Sequence, residues 1–369
     1  MHRLYRWAKK DFVLFASFVL ALLSCIIVPP SMAYIQYIDL HTLLLLFCLM
    51  AVVEGLHRAE VFDHIAHYFL RHMHTERHLV MLLVLLCFIS SMCITNDVAL
   101  ITFVPFAIML LRNADLTSRI TSTVALMTIA ANMGSMLTPV GNPQNLYLYR
   151  LSGYSLSQFM GIMLPYTIIA LLLSFIFILL KTSAHSFTAH ISPPAPLKQQ
   201  QAFFYGILFL LSLASVVHWI SPWYLLLIVG GSILCYQPDL LRKLDYSLLL
   251  TFVFFFILSG NLKSFGPLHT LLQQLITGHE RLTAIIVSQF ISNVPAALLL
   301  SGYTEDITDL IIGCNLGGLG TLIASMASVI SYKYVAHDLP QQRLRYLLRF
   351  SFYSIIFLVC IVAIDYWMA

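Results

Sequence analysis

Long apolar runs recur along the chain from residue 12 to residue 367. A helix needs about 20 mostly apolar residues to cross the roughly 30 Å hydrocarbon core of a bilayer. The pattern predicts nine full crossings, near residues 12–28, 39–57, 119–150, 157–181, 202–219, 222–236, 245–261, 306–334 and 344–367. We therefore expect an all-α polytopic membrane protein.

Two further apolar segments, 78–112 and 281–304, each contain a polar break centred on an asparagine. Non-helical backbone at membrane depth is tolerated only where it is buried in protein or lines a wet cavity. We interpret the two segments as re-entrant hairpins, which enter and leave the membrane on the same side. Their tips are candidate parts of a binding site.

Composition supports the membrane assignment and narrows the function classes. The chain has 369 residues, of which 60% are hydrophobic and 10% charged, and its mean hydropathy is +0.87. No polar domain separates the apolar runs, so a single transmembrane domain over residues 1–369 is expected. The seven cysteines lack metal-ligand spacing, and no basic run resembles a nucleic-acid surface.

The distribution of basic residues predicts the orientation of the chain. If the N-terminus is cytoplasmic and both hairpins are re-entrant, only Arg150, Lys263 and Arg281 of the 20 Lys and Arg residues lie outside. This bias follows the positive-inside rule. It also predicts that the two hairpins enter from opposite sides, and that the solute site contains no Lys or Arg.

The two halves of the chain, about 36–181 and 202–367, repeat the same order of polar landmarks on either side of the connector 182–201. The sequence CITNDVALI around Asn96 parallels FISNVPAAL around Asn293. Because the hairpins are expected to enter from opposite sides, the repeats are expected to be inverted. Inverted repeats with interrupted helices are typical of secondary transporters.

A second pair of matching stretches lies in the segments after the hairpins. ANMGSMLTPVGNPQN aligns with CNLGGLGTLIASMAS, so that Asn132 falls on Asn315. Asn142 followed by Pro143 predicts a helix that breaks and then restarts, since Asn favours the N-cap and Pro the first helical position. Similar starts are expected at Asn96, Asn293 and Ser325. Four helix N-termini would then face a midplane cavity and favour an anion or an oxygen-rich solute.

Asp97 stands beside the first tip, although a charge at membrane depth costs at least about 2.5 kcal/mol. We expect this carboxylate to take up the coupling cation or proton beside the solute.

Two other polar features have simpler explanations. Glu54 is expected to reach interfacial water. His64 and His67 belong to a histidine-rich stretch that also includes His72 and His74, and they are expected to lie on an amphipathic interfacial helix. No metal site is therefore predicted.

The two tip motifs and the stretch TPVGNPQN resemble the ion transporter superfamily, which contains arsenite permeases, NhaD-type sodium/proton antiporters, citrate-metal symporters and divalent anion/sodium symporters. Within it they are most similar to YbiR-type bacterial inner-membrane permeases. The resemblance implies that solute and coupling ion bind between the hairpin tips and the helix breaks. It assigns this role to Thr95, Asn96, Thr138, Gly141, Asn142, Ser292, Asn293, Thr321 and Ser325.

The chain departs from the dicarboxylate branch of that superfamily. That branch has Ser-Asn-Thr at both tips, whereas Asp97 and Val294 occupy the third positions here. Dicarboxylate specificity and sodium dependence are therefore not implied.

The expected function is secondary active transport of a small anion or oxyanion/carboxylate-like solute across the bacterial inner membrane, coupled to protons or sodium and without another cofactor. The alternative is a sodium/proton antiporter. An intramembrane enzyme or a receptor is less favoured, because the chain lacks G-x-S-x-G and H-E-x-x-H motifs. The expected partners are a solute or ion and the bilayer, with a homodimer as an open alternative.

Overall fold

A computed structural model describes residues 12–70, 75–183, 195–264 and 266–368. The regular structure in these ranges is built from helices, numbered α1 Phe12–Ile27, α2 Ala33–Tyr37, α3 Leu40–Arg58, α4 Val61–Leu70, α5 Glu76–Cys93, α6 Asn96–Asn113, α7 Ile120–Ser135, α8 Pro143–Ser152, α9 Leu156–Lys181, α10 Gln199–Val216, α11 Pro222–Tyr236, α12 Tyr246–Ser264, α13 Gly266–Ile276, α14 Glu280–Ile291, α15 Asn293–Leu300, α16 Ile307–Leu316, α17 Met326–Asp338 and α18 Arg343–Met368. Short 3-10 segments occupy Thr117–Arg119, Pro139–Gly141, Pro238–Lys243, Leu322–Ala324 and Pro340–Gln342.

Some residues used in the sequence analysis lie outside the described ranges. These are the basic residues Arg3, Arg6, Lys9, Lys10 and Arg71, His72 and His74, and residues 184–194 of the connector.

Seven segments in the described part of the chain are long and apolar enough to cross a membrane. They are α3, α5, α6, α9, α10, α12 and the C-terminal segment Pro340–Trp367. Shorter apolar helices include α11 and α16. The chain is therefore a multi-pass, all-helical membrane protein, as the apolar pattern predicted.

The two hairpins have helices of unequal length. In the first, α5 and α6 have 18 residues each, or about 27 Å of helix, which approaches the thickness of the hydrocarbon core. In the second, α14 has 12 residues and α15 has 8, or about 18 and 12 Å, too short to cross it. The re-entrant path of the hairpins stays a prediction.

Both helix breaks are confirmed. The first crossing after the hairpin stops at Ser135 and restarts as α8 at Pro143, and its counterpart stops at Leu316 and restarts as α17 at Met326. Every residue of α7 except Ser122 is buried, and its buried polar side chains bond inside the protein, as Thr128 does to Ser331 and Asn132 to Ser328.

The helices follow the same order in both halves, since α3 to α9 correspond one by one to α12 to α18. In each half the first hairpin helix packs against the broken helix, α5 on α7 and α14 on α16. The halves interlock, because α6 packs on α17 and α8 packs on α15. The two halves are therefore packed against each other through the helices that start at the hairpin tips and at the breaks.

Candidate functional site

The hairpin tips place an asparagine at the start of a helix. Asn96 and Asn293 are the first residues of α6 and α15, and the N-cap positions belong to Thr95 and Ser292. The expectation that the asparagines are N-caps is therefore wrong by one position. The Oδ1 atom of Asn96 accepts a bond from the Asp97 amide at 2.9 Å, and that of Asn293 does so from the Val294 amide at 3.0 Å.

At the two helix breaks, Asn142 and Ser325 occupy the N-cap positions as predicted. Neither side chain bonds to an amide of its helix within the described structure. Ser325 instead donates to Asn132 Oδ1 at 2.9 Å, and Asn142 lines a cavity. Both side chains are thus used for contacts other than capping.

The predicted residues Thr138 and Thr321 hold the breaks against the hairpins. The Thr138 hydroxyl donates to the Met92 carbonyl at 2.5 Å, and the Thr321 hydroxyl donates to the Gln289 carbonyl at 3.1 Å. The alignment that matches Asn96 to Asn293 also matches Met92 to Gln289, so equivalent residues make equivalent bonds. Each threonine thus ties its helix break to the hairpin of the same half. Gly141 lies next to Thr138, because its amide donates to the Thr138 hydroxyl at 3.2 Å.

Two equivalent glycines allow this close packing. A Cβ atom on Gly134 would lie 2.0 Å from the Phe88 carbonyl oxygen, and one on Gly317 would lie 2.6 Å from Ser288 Oγ. Any side chain at either position would push the hairpin away from the broken helix. Close helix packing, rather than contact with solute, explains both residues.

Asn132 connects the first tip to the second break. Its Oδ1 atom accepts bonds from Asn96 at 3.0 Å and Ser325 at 2.9 Å, and its Nδ2 atom donates to Ser328 at 3.3 Å. The equivalent residue, Asn315, donates to Asn145 at 2.8 Å. From the sequence, Asn132 and Asn315 were matched only as equivalent positions of the repeat. An asparagine at the same place in both apolar helices was the signal of a role in the site.

A cavity of about 170 Å³ opens beside the first tip and the first break. Thr95, Asp97 and Asn142 line it together with apolar side chains of α3, α6 and α8. The Oδ1 atom of Asp97 is buried and has no hydrogen-bond partner in the described part of the chain. The N-termini of α6 and α8 meet at this cavity, so amide donors and a carboxylate lie within one small space.

Further charged groups line the same cavity, namely Glu54, His57, Lys243 and Asp245. The expectation that the site would contain no Lys or Arg is therefore wrong for this cavity, because the 3-10 segment before α12 brings Lys243 to it. Glu54 also pairs with Arg58, with 3.3 Å between Oε1 and Nε.

The second tip is packed more tightly than the first. Ser292, Asn293 and Val294 are 0%, 3% and 5% exposed, and the Ser292 hydroxyl donates to the Ala324 carbonyl at 3.4 Å. Ser292 has a φ of 75°, a conformation that L-residues rarely adopt. The structure thus places Thr95, Asp97 and Asn142 in the cavity and links Asn96 to Ser325 through Asn132. The other predicted residues, Thr138, Gly141, Ser292, Asn293 and Thr321, make contacts within their own half of the chain.

Within the described residues, no group of three or more His, Cys, Asp or Glu side chains is arranged to hold a metal ion. The segment that carries His64 and His67 forms the short helix α4.

Comparisons with known proteins agree with this architecture. Residues 4–309 match the family model described as citrate transporter (CitMHS). An uncharacterized transporter of Methanocaldococcus jannaschii, MJ0456, is 31% identical over 87% of this chain and 88% of its own length. The inner membrane protein YbiR of Escherichia coli is 31% identical over 89% of this chain and 87% of its own length. The chain belongs to the citrate transporter family.

Proposed function

We propose that this member of the citrate transporter family is a secondary active transporter of a small anion or oxyanion/carboxylate-like solute, coupled to protons or sodium. The observation that carries the proposal is Asp97, whose Oδ1 atom is buried without a hydrogen-bond partner in the described part of the chain, in a cavity where the N-termini of α6 and α8 meet. Helix N-termini attract negative oxygen atoms, whereas a buried carboxylate attracts a cation or a proton. Solute and coupling ion would therefore bind next to each other.

Alternating access would follow from the two halves of the chain. The matching helix order and the equivalent threonine and asparagine contacts support inverted repeats over about 36–181 and 202–367. In such transporters a central site is exposed to the two sides in turn. We place the protein in the bacterial inner membrane with a cytoplasmic N-terminus.

The test is solute uptake into proteoliposomes under an imposed proton or sodium gradient. Citrate, the solute in the family description, is the first solute to measure, followed by other carboxylates, oxyanions and arsenite. Accumulation of one of them above equilibrium, abolished when the gradient is collapsed, is expected. Absence of gradient-driven uptake across the whole set would contradict solute transport.

A sodium/proton antiporter is the second candidate, favoured by the presence of Asp97 and Asp245 in one cavity. A sodium gradient imposed without any solute distinguishes the two. Proton movement in that experiment, recorded with a trapped pH-sensitive dye, would favour antiport.

The orientation is tested separately with exposed residues near the bases of the two hairpins. Ser118→Cys should react with a membrane-impermeant maleimide from the cytoplasmic side, and His279→Cys from the outside. The parent protein, labelled in parallel, gives the background from its own cysteines. Reaction of both variants from one side would contradict the inverted arrangement.

A further inference from the structure

Helix α8 begins at the cavity, which Pro143 and Leu146 line, and extends away from it to Ser152. Near the end of this helix, Arg150 Nε lies 3.4 Å from Asp39 Oδ2. Asp39 is the N-cap of α3 and accepts a bond from the Thr42 amide at 3.3 Å. Both charged side chains are partly buried, so the pair ties α8 to α3.

A second contact of α8 lies one turn earlier. The ring of Tyr147 lies 5.5 Å from that of Phe256 on α12, and its hydroxyl lies 2.8 Å from Ser301 Oγ at the end of α15. Tyr147 and Arg150 together therefore join α8 to helices of both halves. We call Arg150–Asp39 and Tyr147–Phe256 the α8 latch.

The repeat gives each member of the α8 latch an equivalent. The alignment that matches Asn132 to Asn315 matches Arg150 to Lys333, and α3 aligns with α12 so that Asp39 matches Asp245. The second match has structural support, because Asp245 accepts a bond from the Leu248 amide at 3.1 Å just as Asp39 does from Thr42. Lys333 and Asp245 are both exposed.

The apolar contact has equivalents as well. By the same alignments Tyr147 matches Ile330, and Phe256 matches Met50. Ile330, Met50 and Asp245 all line the cavity that contains Asp97. Three of the four residues equivalent to the α8 latch thus line the cavity.

We propose that Lys333 with Asp245, and Ile330 with Met50, form an equivalent α17 latch when the cavity closes, and that the α8 latch then opens. This inference rests on the proposed function, since it assumes that the site opens to the two sides in turn. One ion pair and one apolar contact would be exchanged for another of the same kind. The Tyr147–Ser301 hydrogen bond has no counterpart in the α17 latch, because Ile330 lacks a hydroxyl group.

The test compares two matched variants, Arg150→Gln and Lys333→Gln. Each removes one charge from one latch and keeps most of the side-chain length. Closure of the cavity is measured as cross-linking between cysteines introduced by Met50→Cys and Ile330→Cys, with the linked peptides identified by mass spectrometry. Arg242→Gln, at an exposed position on the 3-10 segment before α12, is the control.

Arg150→Gln should increase this cross-link, and Lys333→Gln should decrease it. A partly exposed ion pair shifts a two-state ratio by roughly two- to five-fold, so changes of that size are expected. Asp39→Asn and Asp245→Asn remove the negative charge from the same two ion pairs. Both keep the N-cap, because Asn caps about as well as Asp. They should reproduce the two opposite shifts.

Hydrogen–deuterium exchange provides a readout without introduced cysteines. Arg150→Gln should speed exchange in α8 and slow it in residues 46–57 beside the cavity, whereas Lys333→Gln should do the reverse. Shifts of the same sign in both variants, or shifts no larger than in Arg242→Gln, would overturn the latch exchange.

This outcome is distinguishable from failure of the proposed function, because neither measurement requires a solute. If no tested solute is taken up but the opposite shifts occur, solute transport fails and the latch exchange stands. If uptake occurs and the shifts are absent, transport stands and the latch exchange is wrong.

Discussion

The two hairpin tips share a framework and differ in chemistry. Asn96 and Asn293 make the same bond to the next amide, and equivalent threonines hold the two breaks to the hairpins. The third tip position, however, is Asp97 in a cavity on one side and buried Val294 on the other.

This difference indicates where the repeat is constrained. Side chains that bond to backbone groups occur at equivalent positions in both halves. The third tip position, which faces the cavity in the first half, differs between the two halves. The first tip therefore carries an ionisable group, and the second tip carries none at the equivalent position.

Removing the charge at the first tip should have the largest effect. Asp97→Asn keeps the shape of the side chain but removes the group that a proton or sodium ion would neutralise, so solute accumulation under an ion gradient should fall to about one, the equilibrium ratio. The measurement is uptake against a solute gradient, alongside solute exchange without one. Asp63→Asn on α4, outside the cavity, is the control and should retain accumulation. If the Asp97→Asn protein concentrates solute as well as the parent does, the Asp97 carboxylate has a structural role only.

Placing a charge at the second tip tests the comparison in reverse. Val294→Asp buries a carboxylate where 5% of the native side chain is exposed, and an uncompensated buried charge destabilises a protein by about 3–5 kcal/mol. A large loss of stability in thermal unfolding is expected, with Val294→Asn, which carries no charge, affected less. Equal stability of Val294→Asp and the parent would mean that the second tip has water or a partner available to it.

Much of this framework follows from the sequence. The apolar runs predict the helices, and Asn142-Pro143 predicts the restart of α8, because local preferences and burial agree there. The roles of Asn132 and Lys243 were not predictable, since both depend on which segments meet in space. The one-residue error at Asn96 and Asn293 arises because an asparagine side chain bonds equally well to its own turn.

The two buried asparagines of the broken helices should differ in their contribution to stability. Asn132→Ala removes the acceptor used by both Asn96 and Ser325, so it should destabilise the protein by about 2–4 kcal/mol. Asn315→Ala removes one side-chain partner, Asn145, and should cost about 1–2 kcal/mol. Denaturant titration in mild detergent compares them, and an equal or larger loss for Asn315→Ala would contradict the central role of Asn132.

The smallest expected effect concerns the backbone of the tips. Ser292 has a φ of 75° and Thr95 a φ of −61°, so only the second tip is held in a conformation that costs an L-residue about 1–3 kcal/mol. Ser292→Gly relieves this strain, but glycine also adds about 1 kcal/mol of chain entropy to the unfolded state. Glycine also loses the bond from the Ser292 hydroxyl to the Ala324 carbonyl, which contributes about 1 kcal/mol. The net change should therefore be a stabilisation of at most about 1 kcal/mol.

Thr95→Gly provides the matched comparison, because it adds the same unfolded-state entropy without any strain to relieve. It should destabilise the protein by about 0.5–1 kcal/mol, so the two substitutions should shift the unfolding midpoint in opposite directions. If both shift it downward by the same amount, Ser292 carries no strain. The asymmetry between the tips would then lie only in the charge of Asp97 and the packing around Val294.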